Sequence, residues 1–248
     1  MRTARVGDLE IGHEPVLVAT ARAESVEGMT RGVECALAAG ADCVELRIDS
    51  LPTAEDVARL IRGTTAPHIV ACRTPRFGGS FSGSEAERIE RLEAAATAGA
   101  EAIDIEFFTD PALRDRLIAL VRKLGTPVMV GYENMQETPP SGTLLRGLQD
   151  VAALAPDLIK LAVRATSHAD LVTVLQTVLD ARSFLDVPFA AIALGPHGAA
   201  SRPLACALGS SFTYCAVEAG AVPGQLTVSE TREILKMVSE QRWPCSSS

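Results

Sequence analysis

With 248 residues, 47% of them hydrophobic, the chain has material for one large core or two small ones. Its net charge of −8, without any basic block, excludes an electrostatic nucleic-acid binder, since nothing would neutralise phosphates. No stretch reaches the roughly 18 apolar residues of a membrane span, and the start MRTARVGDLEIGHEP lacks a signal-like apolar run; no membrane partner and a cytoplasmic location are expected.

The first fourteen residues precede the first strand-like run and are expected to form a small hairpin or lid at the bottom of the fold. Eight short apolar, β-branched runs follow: PVLVAT (15–20), CVELRID (43–49), HIVACRT (68–74), AIDIEFF (102–108), PVMVGYEN (127–134), LIKLAVRA (158–165), FAAIALG (189–195) and SFTYCAV (211–217). Segments of helical spacing lie between most of them. SVEGMTRGVECALAAG and SEAERIERLEAAATAG end on Gly40 and Gly99 as C-caps, and DPALRDRLIALVRKLG opens on an Asp-Pro pair and stops at Gly125. The seventh connection, GPHGAASRPLACALG, is short and has the weakest helical pattern. Strand then helix, repeated eight times, predicts an α/β fold of the (β/α)₈ barrel type, one domain over 1–248 with a frayed tail at 244–248. A doubly wound open sheet is the rival, but no GxGxxG follows the first strand. The six cysteines lack CxxC or zinc-ligand spacing and read as reduced packing thiols.

Side chains alternate across a strand, so residue parity separates the barrel interior from the helix-facing side. The second run sets Val44, Leu46 and Ile48 against Glu45, Arg47 and Asp49; the fourth sets Ile103 and Ile105 against Asp104 and Glu106. The fifth places Glu133 with Met129 and Gly131, the third ends near Arg73, and the sixth carries Lys160 and Arg164. Five consecutive strands therefore turn charge inward, toward the mouth where barrel enzymes hold their chemistry. Asp49, Asp104 and Glu106 read first as acids that hold Arg47 and Arg73 in place. Lys160, flanked by Ile159 and Leu161, has fewer structural explanations.

Burial and neighbouring arginines (Arg47, Arg73, Arg164) are expected to lower the Lys160 pKa and free its amine to attack a carbonyl. The resulting imine acidifies the adjacent carbon and opens elimination or carbon–carbon cleavage. Arg202 and Arg164 are candidates to grip a carboxylate, and Glu45, Arg73 and Gln225 to read hydroxyls. The expected ligand is a small, anionic, polyhydroxylated carbonyl compound, with no metal and no cofactor implied.

These residues resemble type I 3-dehydroquinate dehydratase, a Schiff-base enzyme of the shikimate pathway, from about residue 13 to the last helix. The resemblance lies in VELRID with Glu45 and Arg47, CRT with Arg73, IDIEFF with Glu106, LIKLAV with Lys160, Ser201–Arg202, and PGQ ending at Gln225. It implies a (β/α)₈ barrel, often a homodimer, in which Lys160 forms the imine, Arg202 holds the ring carboxylate, and Glu45, Arg73 and Gln225 hold hydroxyls. Where the family carries a general acid/base histidine on strand five, this chain reads GYENM, with Glu133 in its place. The glutamate four residues beyond the strand-three arginine is Phe77, the serine ahead of PGQ is Ala221, and Arg164 replaces an uncharged residue.

Glu133 is the expected substitute acid/base, its pKa raised by burial beside Phe77 and opposed by Arg164; His197 is a second candidate proton carrier. Three readings stay open on sequence: dehydration of 3-dehydroquinate or a close cyclic β-hydroxy ketone acid; a barrel redirected to another carbonyl substrate in specialised metabolism (lyase, aldol-type or cyclisation chemistry); and a non-catalytic metabolite-binding protein. The stretch PRFGGSFSGSE has the composition of a lid.

Overall fold

All eight runs form parallel strands in the computed structural model, which describes residues 2–218 and 224–240. The 244–248 tail and Ala221 lie outside the described residues. A hairpin comes first, β1 (Ala4–Val6) against β2 (Leu9–Ile11). The barrel strands are β3 (Val16–Arg22), β4 (Cys43–Arg47), β5 (His68–Ala71), β6 (Ile103–Glu106), β7 (Val128–Asn134), β8 (Leu158–Arg164), β9 (Phe189–Leu194) and β10 (Phe212–Cys215). They lie in the order β10-β3-β4-β5-β6-β7-β8-β9. The last gap is closed by Ser211 N donating to Phe189 O (2.7 Å) and Ala191 N to Ser210 Oγ (3.2 Å). The architecture is the (β/α)₈ barrel, nearly closed, with those bonds rather than a paired ladder joining β9 to β10.

Helices α1 (Val26–Ala38), α2 (Ala54–Gly63), α3 (Glu85–Thr97), α4 (Pro111–Lys123), α5 (Ser141–Ala153), α6 (His168–Ala181), α7 (Ser201–Leu208) and α8 (Val228–Glu240) follow the strands. The short seventh connection still makes a helix, though of only 8 residues. Local chemistry sets the starts. Ser84 and Ser167 form capping boxes with Glu87 and Asp170, and Asp110 accepts from Ala112 N (3.0 Å) and Leu113 N (3.2 Å) ahead of Pro111. Asp110→Ala is expected to lower stability by about 1 kcal/mol, read as a shift in the urea midpoint at unchanged slope.

Two apolar layers follow from strand parity. The outer face of the ring (Leu17, Val44, Leu46, Val70, Ile103, Val130) packs on the helices. The inner face is apolar only in its lower half, where Val16, Cys43, Ile69, Met129, Leu158 and Phe212 meet Val6 and Ile11 of the hairpin, which plugs that end. Above them the inward positions become Glu45, Asp104, Gly131, Glu133 and Lys160. The apolar half fixes the ring, and the charged half builds the site.

Among the strands that stop earlier than their apolar runs, two shape the site. β4 gives way to a 3-10 turn at Ile48–Ser50, so Asp49 leaves the barrel face and clamps Arg47 instead (Nε–Oδ1 2.8 Å). β5 ends at Ala71, and Arg73 enters the mouth from the loop beyond it. Gly79 makes that loop possible, because a Cβ there would stand 1.9 Å from the Arg73 carbonyl oxygen. The glycine-rich segment read as a lid is pinned from β4: Arg47 Nη2 donates to Gly78 O (3.2 Å) and Ser80 N to Asp49 Oδ2 (2.9 Å).

Five cysteines are free thiols, four of them buried, and Cys245 lies outside the described residues. Burial pushes Cys72 and Cys206 up to about 12, which suits packing rather than reactivity. Among the described residues no helix is long and apolar enough to cross a membrane.

Candidate active site

A cavity of about 610 Å³ opens at the C-terminal ends of the strands. Lys160, Glu133, Glu45, Arg47, Arg73, Arg202 and Gln225, all expected from sequence, line it together. Arg164 does not. Its parity is right, but it is the last residue of β8, and its exposed side chain lies at the rim while its carbonyl accepts from Thr138 Oγ1 (2.8 Å). His197 is also exposed, edge-on to His168 with ring centroids 5.0 Å apart, and neither lines the cavity. The proton-carrier role expected of His197 therefore has no geometric support.

Register sets the centre. Lys160 pairs with Gly131 across β7–β8, and Gly131 with Glu106 across β6–β7. The missing side chain at Gly131 leaves the Lys160 amine room to reach both neighbours' acids. Its Nζ stands 2.6 Å from Asp104 Oδ2, 3.0 Å from Glu133 Oε1 and 3.8 Å from Glu45 Oε2. The Tyr214 ring lies 5.2 Å away and adds a weaker attraction for the cation.

Arg73 binds the same acids from the other side. It pairs with Asp104, with Glu106 (2.6 Å) and with Glu133 (3.0 Å), while its side chain is 3% exposed. Arg88 of α3 supports the cluster from outside the ring, donating to Glu106 Oε2 (2.7 Å), Cys72 O (2.9 Å) and Thr109 Oγ1 (2.8 Å). The sequence reading missed it, although a signal was present: Arg88 sits beside Ile89 and Leu92 on the buried stripe of an otherwise charged helix. Arg88→Met would leave Glu106 with Arg73 alone. We expect a loss of about 3 kcal/mol, with Tm and kcat falling together, as for removal of one partner from a buried ion cluster.

Electrostatics overturns two expectations. Burial and Arg73 push Lys160 toward the neutral amine, as anticipated, but Asp104, Glu133 and Glu45 outweigh them, and its pKa is raised. At neutral pH the lysine is therefore an ammonium. Burial does push Glu133 up, but Arg73, Lys160 and Arg47 outweigh it and hold the carboxyl below its ordinary range. Arg164 takes no part. Asp104, fully buried, is the group for which burial wins: its pKa is raised despite Arg73 and Lys160.

Arg202 is a different kind of cation. It is 3% exposed and oriented by Tyr214 O (3.0 Å) and Gly224 O (2.7 Å), and no carboxylate pairs with it among the described residues. Burial draws its pKa down to about 10, so it keeps its charge at neutral pH and presents it to the cavity. The mouth thus has one cation with no acid partner of its own, one lysine beside two carboxylates, and no grouping of three His, Cys, Asp or Glu suited to a metal among the described residues. Such a site suits an anionic ligand with a carbonyl held over the lysine.

A model of the type I 3-dehydroquinase family matches residues 18–242. The chain belongs to this family. It is 32% identical over 243 residues to the 3-dehydroquinate dehydratase of Methanosarcina barkeri, covering 94% of this chain and 98% of that one. It is 35% identical over 209 residues to the enzyme of that name from Methanothermobacter thermautotrophicus, covering 84% and 90%. Among solved structures, the Geobacillus kaustophilus 3-dehydroquinate dehydratase matches with a TM-score of 0.91 at 24% identity over 97% and 98% of the two chains, a likeness of fold. Against this family background the departures are local. Glu133 occupies the place expected for a histidine, and Phe77 joins Met135 on the same cavity wall.

Proposed function

We propose that this protein is a hydro-lyase that converts 3-dehydroquinate to 3-dehydroshikimate through an imine on Lys160, without a cofactor. The observation that carries the reading is the placement of the Lys160 amine on the cavity wall, within 3.0 Å of two carboxylates and in one chamber with Arg202. Arg202 receives the substrate carboxylate; Glu45, Arg73 and Gln225, with Arg47 beside them on the cavity wall, orient the ring hydroxyls. The ketone carbon condenses with Nζ, and the iminium that replaces the ammonium keeps a positive charge between the same acids.

Glu133 then removes the proton from the carbon beside the imine. A carboxylate held low by cations is a modest base, but the iminium has already acidified that carbon. The same low pKa makes the protonated Glu133 a good donor to the departing hydroxyl, which leaves as water. Hydrolysis of the imine returns Lys160. A homodimer and a cytoplasmic location belong to the same proposal, by analogy with the family.

The test is direct. Purified protein mixed with 3-dehydroquinate should generate the enone absorbance of the product. No absorbance, together with a Lys160 adduct on some other ketone, would instead support the redirected-substrate reading, which the Phe77–Met135 wall favours.

A further inference from the structure

Two carboxylates touch the Lys160 amine, and their surroundings differ. Asp104 is fully buried, its Oδ2 lies 2.6 Å from Nζ, and its Oδ1 has no hydrogen-bond partner among the described residues. Glu133 reaches the amine from the cavity side at 3.0 Å and lines the cavity, whereas Asp104 does not. A Cβ at Gly131 would stand 3.0 Å from Glu133 Oε1, 3.4 Å from Lys160 Cε and 3.6 Å from Asp104 Oδ1, so the glycine keeps space open for the lysine and both acids.

We propose that Asp104, rather than Glu133, is the residue that takes the proton from the Lys160 ammonium and returns it during imine formation, leaving Glu133 for the carbon-bound proton. The proposal rests on the imine reading above. Asp104 accepts one proton from the ammonium, and the freed amine attacks the ketone carbon. After carbon–nitrogen bond formation and proton transfer from nitrogen to oxygen, the neutral carbinolamine and protonated Asp104 remain. Asp104 gives its proton back to the nitrogen as that nitrogen passes one to the hydroxyl, the carbon–oxygen bond breaks, and water leaves. The iminium and an ionised Asp104 result, so two protons of the original ammonium depart with the carbonyl oxygen as water. The opposite pKa directions of the two acids fit this division: burial favours protonated Asp104, while the cations favour ionised Glu133.

The test is the rate at which cyanoborohydride and 3-dehydroquinate load Lys160, followed by intact mass against pH. In the wild type the rate should stay level from pH 8 to pH 6, because the acceptor lies inside the protein. D104N should trap about 100-fold more slowly at pH 7 and gain tenfold per pH unit, because its lysine must lose the proton to solvent. A mere counter-ion role gives the opposite sign. Removing the attracting carboxylate would make the amine more available, and D104N would trap as fast as the wild type or faster, which overturns the proposal. Slowing confined to E133Q would also overturn it, by assigning the lysine's proton to Glu133. Thermal unfolding reports whether D104N is folded. If it is not, wild type and E133Q decide together: a level wild-type rate with E133Q trapping within tenfold of it supports the proposal, and a wild-type rise of tenfold per unit from pH 6 to pH 8, or slow trapping in E133Q, overturns it. A wild type that gives no adduct at any pH would refute the imine reading itself, a failure distinct from either of these.

Discussion

Lys160→Met abolishes the trappable adduct and lowers kcat/KM for 3-dehydroquinate by about 10⁴-fold or more, because the nucleophile is gone and no neighbour can form an imine. Turnover and intact mass after reductive trapping check it together. The substitution also leaves Asp104 and Glu133 facing each other with only Arg73 between them. Loss of the Lys160 cation raises the Asp104 pKa further than burial already does and so favours its neutral form. The stability loss should therefore stay below the roughly 3–5 kcal/mol of a buried charge left alone. Residual activity within tenfold of wild type would contradict the imine chemistry at its root.

Glu133→Gln separates the two halves of the reaction. It keeps the hydrogen-bonding shape beside Lys160 but cannot remove the carbon-bound proton, and kcat should fall by about 10²–10⁴-fold while the Lys160 adduct still forms. The pH profile of the wild type carries a second signature. A histidine base would put an acid limb near its ordinary pKa of about 6.5. Glu133 is held below the normal carboxylate range by Arg73, Lys160 and Arg47, against the opposing effect of burial, so it stays ionised as pH falls through 6. The acid limb of kcat/KM should therefore be absent between pH 6 and 8, appearing only as pH approaches the lowered carboxyl pKa. An acid limb near pH 6.5 would point to an imidazole, and the exposed His197 and His168 would have to be reconsidered.

The fold was legible because periodicity carries it: strand parity at Val44/Leu46 and Ile103/Ile105 and glycine stops at Gly40, Gly99 and Gly125 left little choice of architecture. Parity also placed Glu45, Glu133 and Lys160 on one inward face, where they line the same cavity, since each lies within a strand. It failed where the backbone leaves the strand. Asp49 turned away in a 3-10 turn, and Arg164 at the strand end passed beyond the rim. Charge states were the least legible. The sequence shows which cations are near in the chain, but the balance at Lys160 is set by Asp104, Glu133 and Glu45 converging across three strands at 2.6–3.8 Å. Arg88 was hidden for a related reason, as its partner Glu106 belongs to β6 and its role appears only once α3 packs on the ring.

The account turns on whether the Lys160 nitrogen bonds covalently to the substrate's ketone carbon. Reduction of the wild-type protein with borohydride in the presence of 3-dehydroquinate, followed by peptide mass mapping, should place one adduct on Lys160 and none in Lys160→Met. Steady production of the enone with Lys160 unmodified under these conditions would contradict it.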